Sequence, residues 1–395
     1  MNHTQITVSG IEWVGIAALA ISMLIPLYAY FGYPAILFVT HAFRKSQPVH
    51  DLSNDELPAV TMVVAAYNEA AAIANKVRNF LSLEYPADKL RLIIGSDGSS
   101  DDTVALALEA AAGDKRITVI DSKERRGKVN VLSDIIPRAE TPIIVISDAN
   151  TIYRPDSIRK LVRHFTSDKV GAVCGRLVLT PSAVQPSIEE NIYWQYETFV
   201  KRLESDLGCL SAINGQVFAL RRDLFEPPPP DTITEDQYIG LRIMHKGRRI
   251  RFEPDAVVSE PVGSIETEQR RRLRISAGNF QTLSRAGLFL LNPLRGFPAF
   301  AYVSHKVLRW MVPLAMFLVL ALNTALITLP GAVCLLAAQA VFYGLAALPA
   351  IVPPLRKVSL LRFLHYFVSM NITIARGFFR FLLLPQRATW ERTHR

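Results

Sequence analysis

Apolar positions fall into two unlike populations along this chain. From about residue 50 to 290 they form short unbroken runs and stretches at helical spacing, the pattern of water-soluble α/β structure. On either side they form segments long enough for a bilayer. The central run, 142–146, stops at Ser147-Asp148-Ala149-Asn150. An unbroken run of this kind predicts a strand buried on both faces, as in a parallel sheet. Further strands are predicted at 59–66, 90–95, 117–120, 170–179 and 213–220. A helix is predicted after Glu69, with Ile73, Val77 and Phe80 on one face, and others over 104–112, 155–165 and 234–245. Strand and helix alternate, so the expected fold class is α/β, a doubly wound nucleotide-binding sheet.

The flanks predict membrane helices. Residues 11–40 are apolar, nearly uncharged and longer than the ~20 needed to span. Their length, and the lack of a preceding basic residue, disfavour a cleavable signal peptide. His41, Arg44 and Lys45 follow, which places the N-terminus outside and the next domain in the cytoplasm. At the far end, 296–310 reads as an interfacial helix, with Phe297, Phe300, Val303, Val307 and Trp310 opposite His305, Lys306 and Arg309. Two stretches, 311–329 and 332–352, are long enough to cross. The segment 360–384 holds Arg362, His365, Arg376 and Arg380. Charges inside a span are costly, so it reads either as a third C-terminal span or as an interfacial helix, which the basic tail Arg387, Arg392 and Arg395 favours. The expected organisation is an N-terminal transmembrane helix and basic flank at 1–45, a cytoplasmic domain at 46–290, and an interfacial helix with two or three C-terminal spans at 291–395. This describes an integral protein of the inner membrane.

Composition narrows the chemistry. The net charge of +9 over 395 residues suits nucleic acid, anionic lipid or a phosphorylated substrate. The basic residues cluster near the predicted site and the membrane flanks, which argues against nucleic acid. Cys174, Cys209 and Cys334 lie far apart without a paired spacing, which argues against a zinc site or disulfide framework. No glycine-rich dinucleotide fingerprint or P-loop lysine motif occurs, so hydride transfer and nucleotide hydrolysis are disfavoured.

Ligands of open α/β sheets bind beyond the carboxyl ends of the strands. Asp148 and Asn150 stand there, and a carboxylate with an amide oxygen two residues on suits a hard divalent cation that also holds phosphate oxygens. The alternative is that Asp148 caps the next turn. Tyr67-Asn68-Glu69 and Asp97 end neighbouring strands, where they can hold a base and ribose; otherwise Asp97 is a plain loop carboxylate. Gly127 permits a tight turn and Lys128 opens a helix, where a lysine can meet a pyrophosphate; the alternative is a solvated basic loop. Residues 187–190 form a capping box, followed by Ile188, Ile192, Tyr196, Phe199 and Leu203 as a core stripe, with Tyr193 and Trp194 beside it. Gly215 lets the backbone approach a ligand. Pro227–Pro230 make a stiff spacer leading to Thr234-Glu235-Asp236 at a helix start, where acidic residues can act simply as a cap. Arg248, Arg249 and Arg251 mark a basic edge strand. Four arginines within 270–274 would repel one another without an anion or membrane surface nearby.

Ala66-Tyr67-Asn68-Glu69, Ser96-Asp97-Gly98-Ser99-Ser100-Asp101-Asp102-Thr103, Gly127-Lys128 and Ser147-Asp148-Ala149-Asn150 together resemble the family 2 glycosyltransferase domain. That group includes cellulose, chitin, hyaluronan and poly-N-acetylglucosamine synthases. The resemblance implies a GT-A fold flanked by transmembrane helices, binding a nucleotide-diphosphate sugar, usually UDP-linked, with Mg2+ or Mn2+. It implies that Ala66, Tyr67, Glu69, Asp97, Lys128, Asp148, Gln269 and Arg272 bind the nucleotide sugar. Asp148 and Asn150 are then the metal ligands, and Asp236 the catalytic base with Glu235 beside it. Two departures stand out. The family's Asp-x-Asp ends here in Asn150, so one ligand is uncharged. Its processive Gln-x-x-Arg-Trp is matched at Gln269 and Arg272, but Leu273 replaces the tryptophan, which puts processivity in doubt. Arg272 is expected at the pyrophosphate, with Arg270, Arg271 and Arg274 toward acidic lipid. The implied reaction is inverting transfer from a UDP-sugar to a polysaccharide or glycan acceptor. The alternative is single-sugar transfer to a lipid acceptor of the ceramide or polyprenyl-phosphate kind. Membrane lipid is an expected partner, and an oligomer or accessory export subunit is compatible with the pattern.

Overall fold

The computed structural model describes residues 9–44, 49–180, 188–261 and 265–386. Lys45, Ser187 of the expected capping box and the tail residues Arg387, Arg392 and Arg395 lie outside them. The chain enters through α1 (Gly10–Leu27), joined by a π-helical turn at Tyr28–Gly32 to α2 (Tyr33–Ala42). The middle of the chain lays down β1 (Val60–Ala66), α3 (Ala70–Leu81), β2 (Leu90–Asp97), α4 (Thr103–Ala111), β3 (Ile117–Ser122), α5 (Lys128–Ile135) and β4 (Ile143–Asp148). It continues with β5 (Ile152–Tyr153), α6 (Ser157–Val162), β6 (Val170–Thr180), α7 (Ile188–Leu207), β7 (Val217–Arg221), α8 (Glu235–His245), β8 (Arg249–Pro261) and α9 (Ile265–Thr282). The last helices are α10 (Phe297–Tyr302), α11 (Leu308–Ala325), α12 (Ala332–Ile351) and α13 (Ser359–Leu383).

The strands form one mixed sheet in the order β3-β2-β1-β4-β7-β6-β8-β5. Its first four members are parallel, and β7 runs antiparallel between β4 and β6. Period-2 alternation sends Met62, Val64, Ile143 and Val145 into a core under α3, α4 and α6. It sends Val63, Ala65, Ile144 and Ile146 into a second core under α5 and α8. Both faces of β1 and β4 are therefore dry, and each large aliphatic buried there contributes about 1.5–3 kcal/mol. The strand expected at 213–220 begins later, at Val217, after a turn in which Val217 N donates to the Asn214 carbonyl at 3.1 Å, while the Asn214 side-chain Nδ2 donates to the Gly175 carbonyl at 2.7 Å.

Three helices among the described residues are long and apolar enough to cross a membrane: Gly10–Ala42, Phe297–Ala325 and Ala332–Ile351. Over the segment expected as an interfacial helix leading into a span, α10 runs through a π-helical turn at Val303–Val307 straight into α11. Its polar side is not in solvent. His305 and Arg309 are 0% and 7% exposed, because α7 supplies Glu204 and Glu197 against them. The stripe expected to be core on α7 is so only toward its C-terminal half, where Leu203 is buried and Tyr196 packs against the same cluster. Ile188, Ile192 and Phe199 are 61%, 50% and 44% exposed, while Glu197, Val200, Lys201 and Glu204 are buried. α13 is not among the candidate spans. It lies along α9, with the Phe280 and Phe378 rings 5.1 Å apart and Ser276 Oγ donating to the Ile374 carbonyl at 3.4 Å.

Candidate active site

A cavity of 360 Å³ opens at the carboxyl ends of β1 and β4. Glu69, Lys128, Asp148, Asn150, Glu235 and Asp236 all line it, though they come from loops spread over some 170 residues of chain. β4 ends at Asp148, in register with Ala65 of β1, which sets the carboxylate at the carboxyl end of a central strand, facing the cavity. Gly127, at φ 95°, turns the chain so that Lys128 begins α5. The Lys128 ammonium then lies 2.7 Å from Asp148 Oδ1 and 2.7 Å from Glu235 Oε1. Burial works against its charge, but Asp148 and then Glu235 hold its pKa above the ordinary lysine value. These carboxylates therefore converge on a cation, here a side chain.

Asp236 follows Glu235 in the first turn of α8. A Cβ on Gly215 would fall 2.7 Å from Asp236 Oδ2, so any other residue at 215 would displace the carboxylate. Burial, and then the Glu235 charge, push Asp236 up to about 6. A carboxyl poised there can accept a proton near neutral pH. Among the described residues no three carboxylate, imidazole or thiol groups cluster tightly enough to hold a metal alone. Asp148 with Asn150 is instead a hard oxygen pair that leaves positions for phosphate oxygens and water, the habit of Mg2+ and Mn2+ at nucleotide sites.

Other expected residues are placed elsewhere. Asp97 is fully buried, and its Oδ1 and Oδ2 accept from the Arg126 and Gly127 backbone N–H groups at 2.7–3.1 Å. It anchors the turn that presents Lys128 instead of lining the cavity. Ala66 is buried in the sheet, and Ala65 borders the cavity in its place. Tyr67 carries the Arg125 guanidinium over its ring at 4.0 Å, outside the cavity wall. The Asn68–Glu69 and Ser99–Thr103 loops staple one another: Glu69 N donates to Thr103 Oγ1 at 2.7 Å, and Ser100 N to Asn68 Oδ1 at 2.8 Å.

The expectation for α9 is reversed. Arg271, Arg274, Ile275 and Asn279 line the cavity, a helical i, i+3, i+4, i+8 face. Arg272 is about 100° round the helix from Arg271. Its Nε donates to Glu268 Oε1 at 3.1 Å and its Nη1 to Met370 Sδ at 3.1 Å, with the Tyr366 ring 5.6 Å away. Gln269 is exposed and also off the cavity face.

Two residues that sequence reasoning missed support the site. Lys76 is fully buried; its Nζ donates to Ser147 Oγ at 2.6 Å and the Thr151 carbonyl at 2.9 Å, bracketing the loop of Asp148 and Asn150. Burial lowers its pKa to about 7, against the pull of Asp148. The signal was present, since Lys76 lies on the Ile73–Val77–Phe80 face. Glu260, near the end of β8, is 2% exposed, lines the cavity and accepts from Asn150 Nδ2 at 3.2 Å.

Comparison with known proteins adds identity to this geometry. A family model described as "Glycosyltransferase like family 2" matches residues 58–278. Poly-beta-1,6-N-acetyl-D-glucosamine synthase of Staphylococcus aureus (strain COL) is 28% identical over 279 residues, 68% of this chain and 66% of that protein. The synthase of the same name from Staphylococcus epidermidis is 26% identical over 261 residues, 62% of each chain. This chain thus spans just under two thirds of the curated relatives it matches. Among solved structures, a mannosyltransferase from Pyrobaculum calidifontis, in complex with GDP-Man and Mn2+, aligns with a TM-score of 0.70. Its identity is 22%, over 93% of this chain and 99% of that one. The likeness bears out the expected GT-A fold.

Proposed function

Since this chain belongs to the family 2 glycosyltransferases, we propose that it transfers a sugar, with inversion, from a nucleotide-diphosphate sugar to a glycan or polysaccharide acceptor at the cytoplasmic face of the inner membrane. One observation carries the reading: Lys128, Asp148, Glu235 and Asp236 meet in a single cavity, with an ammonium held between two carboxylates.

In this account Asp236 is the base, taking the acceptor hydroxyl proton as the oxygen attacks the anomeric carbon. Lys128 leaves its carboxylate partners to pair with the departing diphosphate, beside the N-terminus of α5. Arg271 and Arg274 face the same cavity and take the phosphate-facing role that the motif gave to Arg272. Asp148 and Asn150 would hold Mg2+ or Mn2+, which when bound would supply Lewis-acid screening of the leaving diphosphate. That the mannosyltransferase was solved with GDP-Man and Mn2+ supports a divalent ion and widens the donor candidates beyond UDP-sugars. Poly-N-acetylglucosamine synthases as sequence relatives favour a polysaccharide product.

A second reading has its own observation. Trp194, Glu197, Lys201 and Lys306 extend the cavity wall toward the membrane helices, which favours an acceptor arriving from the bilayer, as a glycolipid or polyprenyl phosphate would. The three apolar helices support a topology with the N-terminus outside, the sheet domain inside, two C-terminal spans, and α13 on the inner surface beside α9.

The test is nucleotide release by the purified protein from a panel of UDP-sugars and GDP-mannose, with and without EDTA. One donor should be consumed, only with metal, and product on a sizing gel should distinguish polymer from single-sugar lipid. No metal-dependent release from any donor would overturn the proposal.

A further inference from the structure

Asn150 poses a problem that an aspartate would not. The two oxygens of a carboxylate are equivalent, so either can meet a cation. A carboxamide has one oxygen, and turned the wrong way it presents an N–H group that repels the ion. Something must fix its orientation. Asn150 Nδ2 donates to Glu260 Oε1 at 3.2 Å, and both residues line the cavity beside Asp148. A carboxylate offers only acceptors, so the amide can face Glu260 with its nitrogen alone. Its Oδ1 is then the atom left for a ligand. Glu260 is itself well placed to hold that orientation. It is 2% exposed and sits on β8, with Leu179 opposite on β6 and the adjacent Ser259 opposite Ile152 on β5.

We infer that Glu260 is a positioning residue for the cation site: its buried carboxylate orients the Asn150 amide so that Oδ1 faces the ion. The pair also restores a charge balance. The carboxylate missing from position 150 stands one hydrogen bond behind it. This inference rests on the reading of Asp148 and Asn150 as metal ligands.

The test uses the full-length protein in detergent, with Mn2+ affinity in the presence of UDP read from the electron paramagnetic resonance of free Mn2+. Glu260→Gln removes the orienting preference, because a glutamine amide can pair with either edge of Asn150. It should weaken Mn2+ binding about ten- to a hundredfold, the usual loss when a residue behind a metal ligand is changed. The double variant Asn150→Asp with Glu260→Gln should recover affinity to within a few fold of wild type. Its new carboxylate has no wrong orientation, and the glutamine amide behind it can donate to one of its oxygens. Asn150→Asp alone sets two carboxylates against each other and should bind less well than the double variant. Recovery by a second substitution separates positioning from a fold defect, and thermal unfolding of each variant checks the fold directly. Wild-type affinity in Glu260→Gln, or no recovery in the double variant, would overturn the inference. Asp148→Ala distinguishes the underlying reading: if it binds Mn2+ as wild type does, or if wild type binds none, the metal assignment falls and this inference with it.

Discussion

The half-sheet β1–β4 and the helices at the membrane end are built on opposite rules. In the half-sheet, apolar side chains fill both inner faces and polar groups collect at the strand ends. Around α7, α10 and α11 the inner face carries Glu197, Lys201, Glu204, His305 and Arg309, while Ile188, Ile192 and Phe199 face outward. Glu204 Oε1 accepts from Tyr33 OH at 2.6 Å and from His305 Nδ1–H at 2.7 Å, tying α2, α7 and the helix through Val303–Val307 together. Water-facing packing makes the first arrangement stable. The second is stable where the outer surface meets lipid, because a buried charge needs a partner while an exposed isoleucine then costs nothing. The same helical period therefore points in opposite directions in the two regions.

The largest expected contrast comes from breaking a buried pair. Arg309→Ala leaves the buried Glu197 carboxylate with only the longer contacts to His305 Nε2 at 3.5 Å and Lys306 Nζ at 4.0 Å, and should cost up to about 3–5 kcal/mol of stability, read as loss of folded protein in detergent. Pairing Arg309→Met with Glu197→Leu should recover most of it. If Arg309→Ala is silent, the charged inner face contributes nothing and the contrast fails.

A smaller effect tests the sheet side. Burial and the Glu235 charge raise Asp236 to about 6, above its ordinary carboxylate value. Such a group favours folding while protonated, and that contribution is lost as pH rises through about 6. Asp236→Asn should therefore melt higher than wild type at pH 8, with the advantage fading toward pH 5. Transfer by wild type should drop about tenfold per pH unit below about 6 as the base is protonated. Equal melting temperatures at both pH values would contradict this.

The smallest effect sharpens the comparison from the outside. Ile192→Ser should change stability in detergent by no more than about 0.5 kcal/mol, as at any exposed position. Ile146→Ala, in the dry sheet, should cost about 2–5 kcal/mol. Equal costs would mean that α7 hides its apolar stripe after all.

The same contrast explains what the sequence made legible. The apolar runs expected as strands at 59–66, 90–95 and 142–146 match β1, β2 and β4, and each ends where a polar loop begins. The elements carrying Asp148, Lys128 and Asp236 were therefore readable, and the chain brings all three to one cavity. Side-chain direction was not readable to the same degree. Asp97 carries a recognisable motif, yet folds back onto the Arg126–Gly127 turn, a contact about 30 residues away that no local pattern encodes. Arg272 matched a motif by position, but which side of α9 meets the cavity is set by α13 packing on the other side. The apolar period of α7 predicts a core stripe by the rule for helices in water, but only Tyr196 and Leu203 of it pack inward, while Glu197, Lys201 and Glu204 fill the rest of the inner face. Lys76 and Glu260 escaped notice because charged residues on apolar elements read as exposed until a partner is known.

The central claim is that the convergent carboxylates divide their work, Asp148 holding the donor's cation and Asp236 taking the acceptor's proton. The direct measurement pairs two variants, with nucleotide binding in the presence of Mn2+ read beside sugar transfer on the same preparations. Asp236→Asn should bind nucleotide within a few fold of wild type and lose transfer by at least about a hundredfold, the low end of general-base contributions, whereas Asp148→Ala should lose both. Wild-type turnover in Asp236→Asn, or undiminished metal-dependent nucleotide binding in Asp148→Ala, would contradict the account.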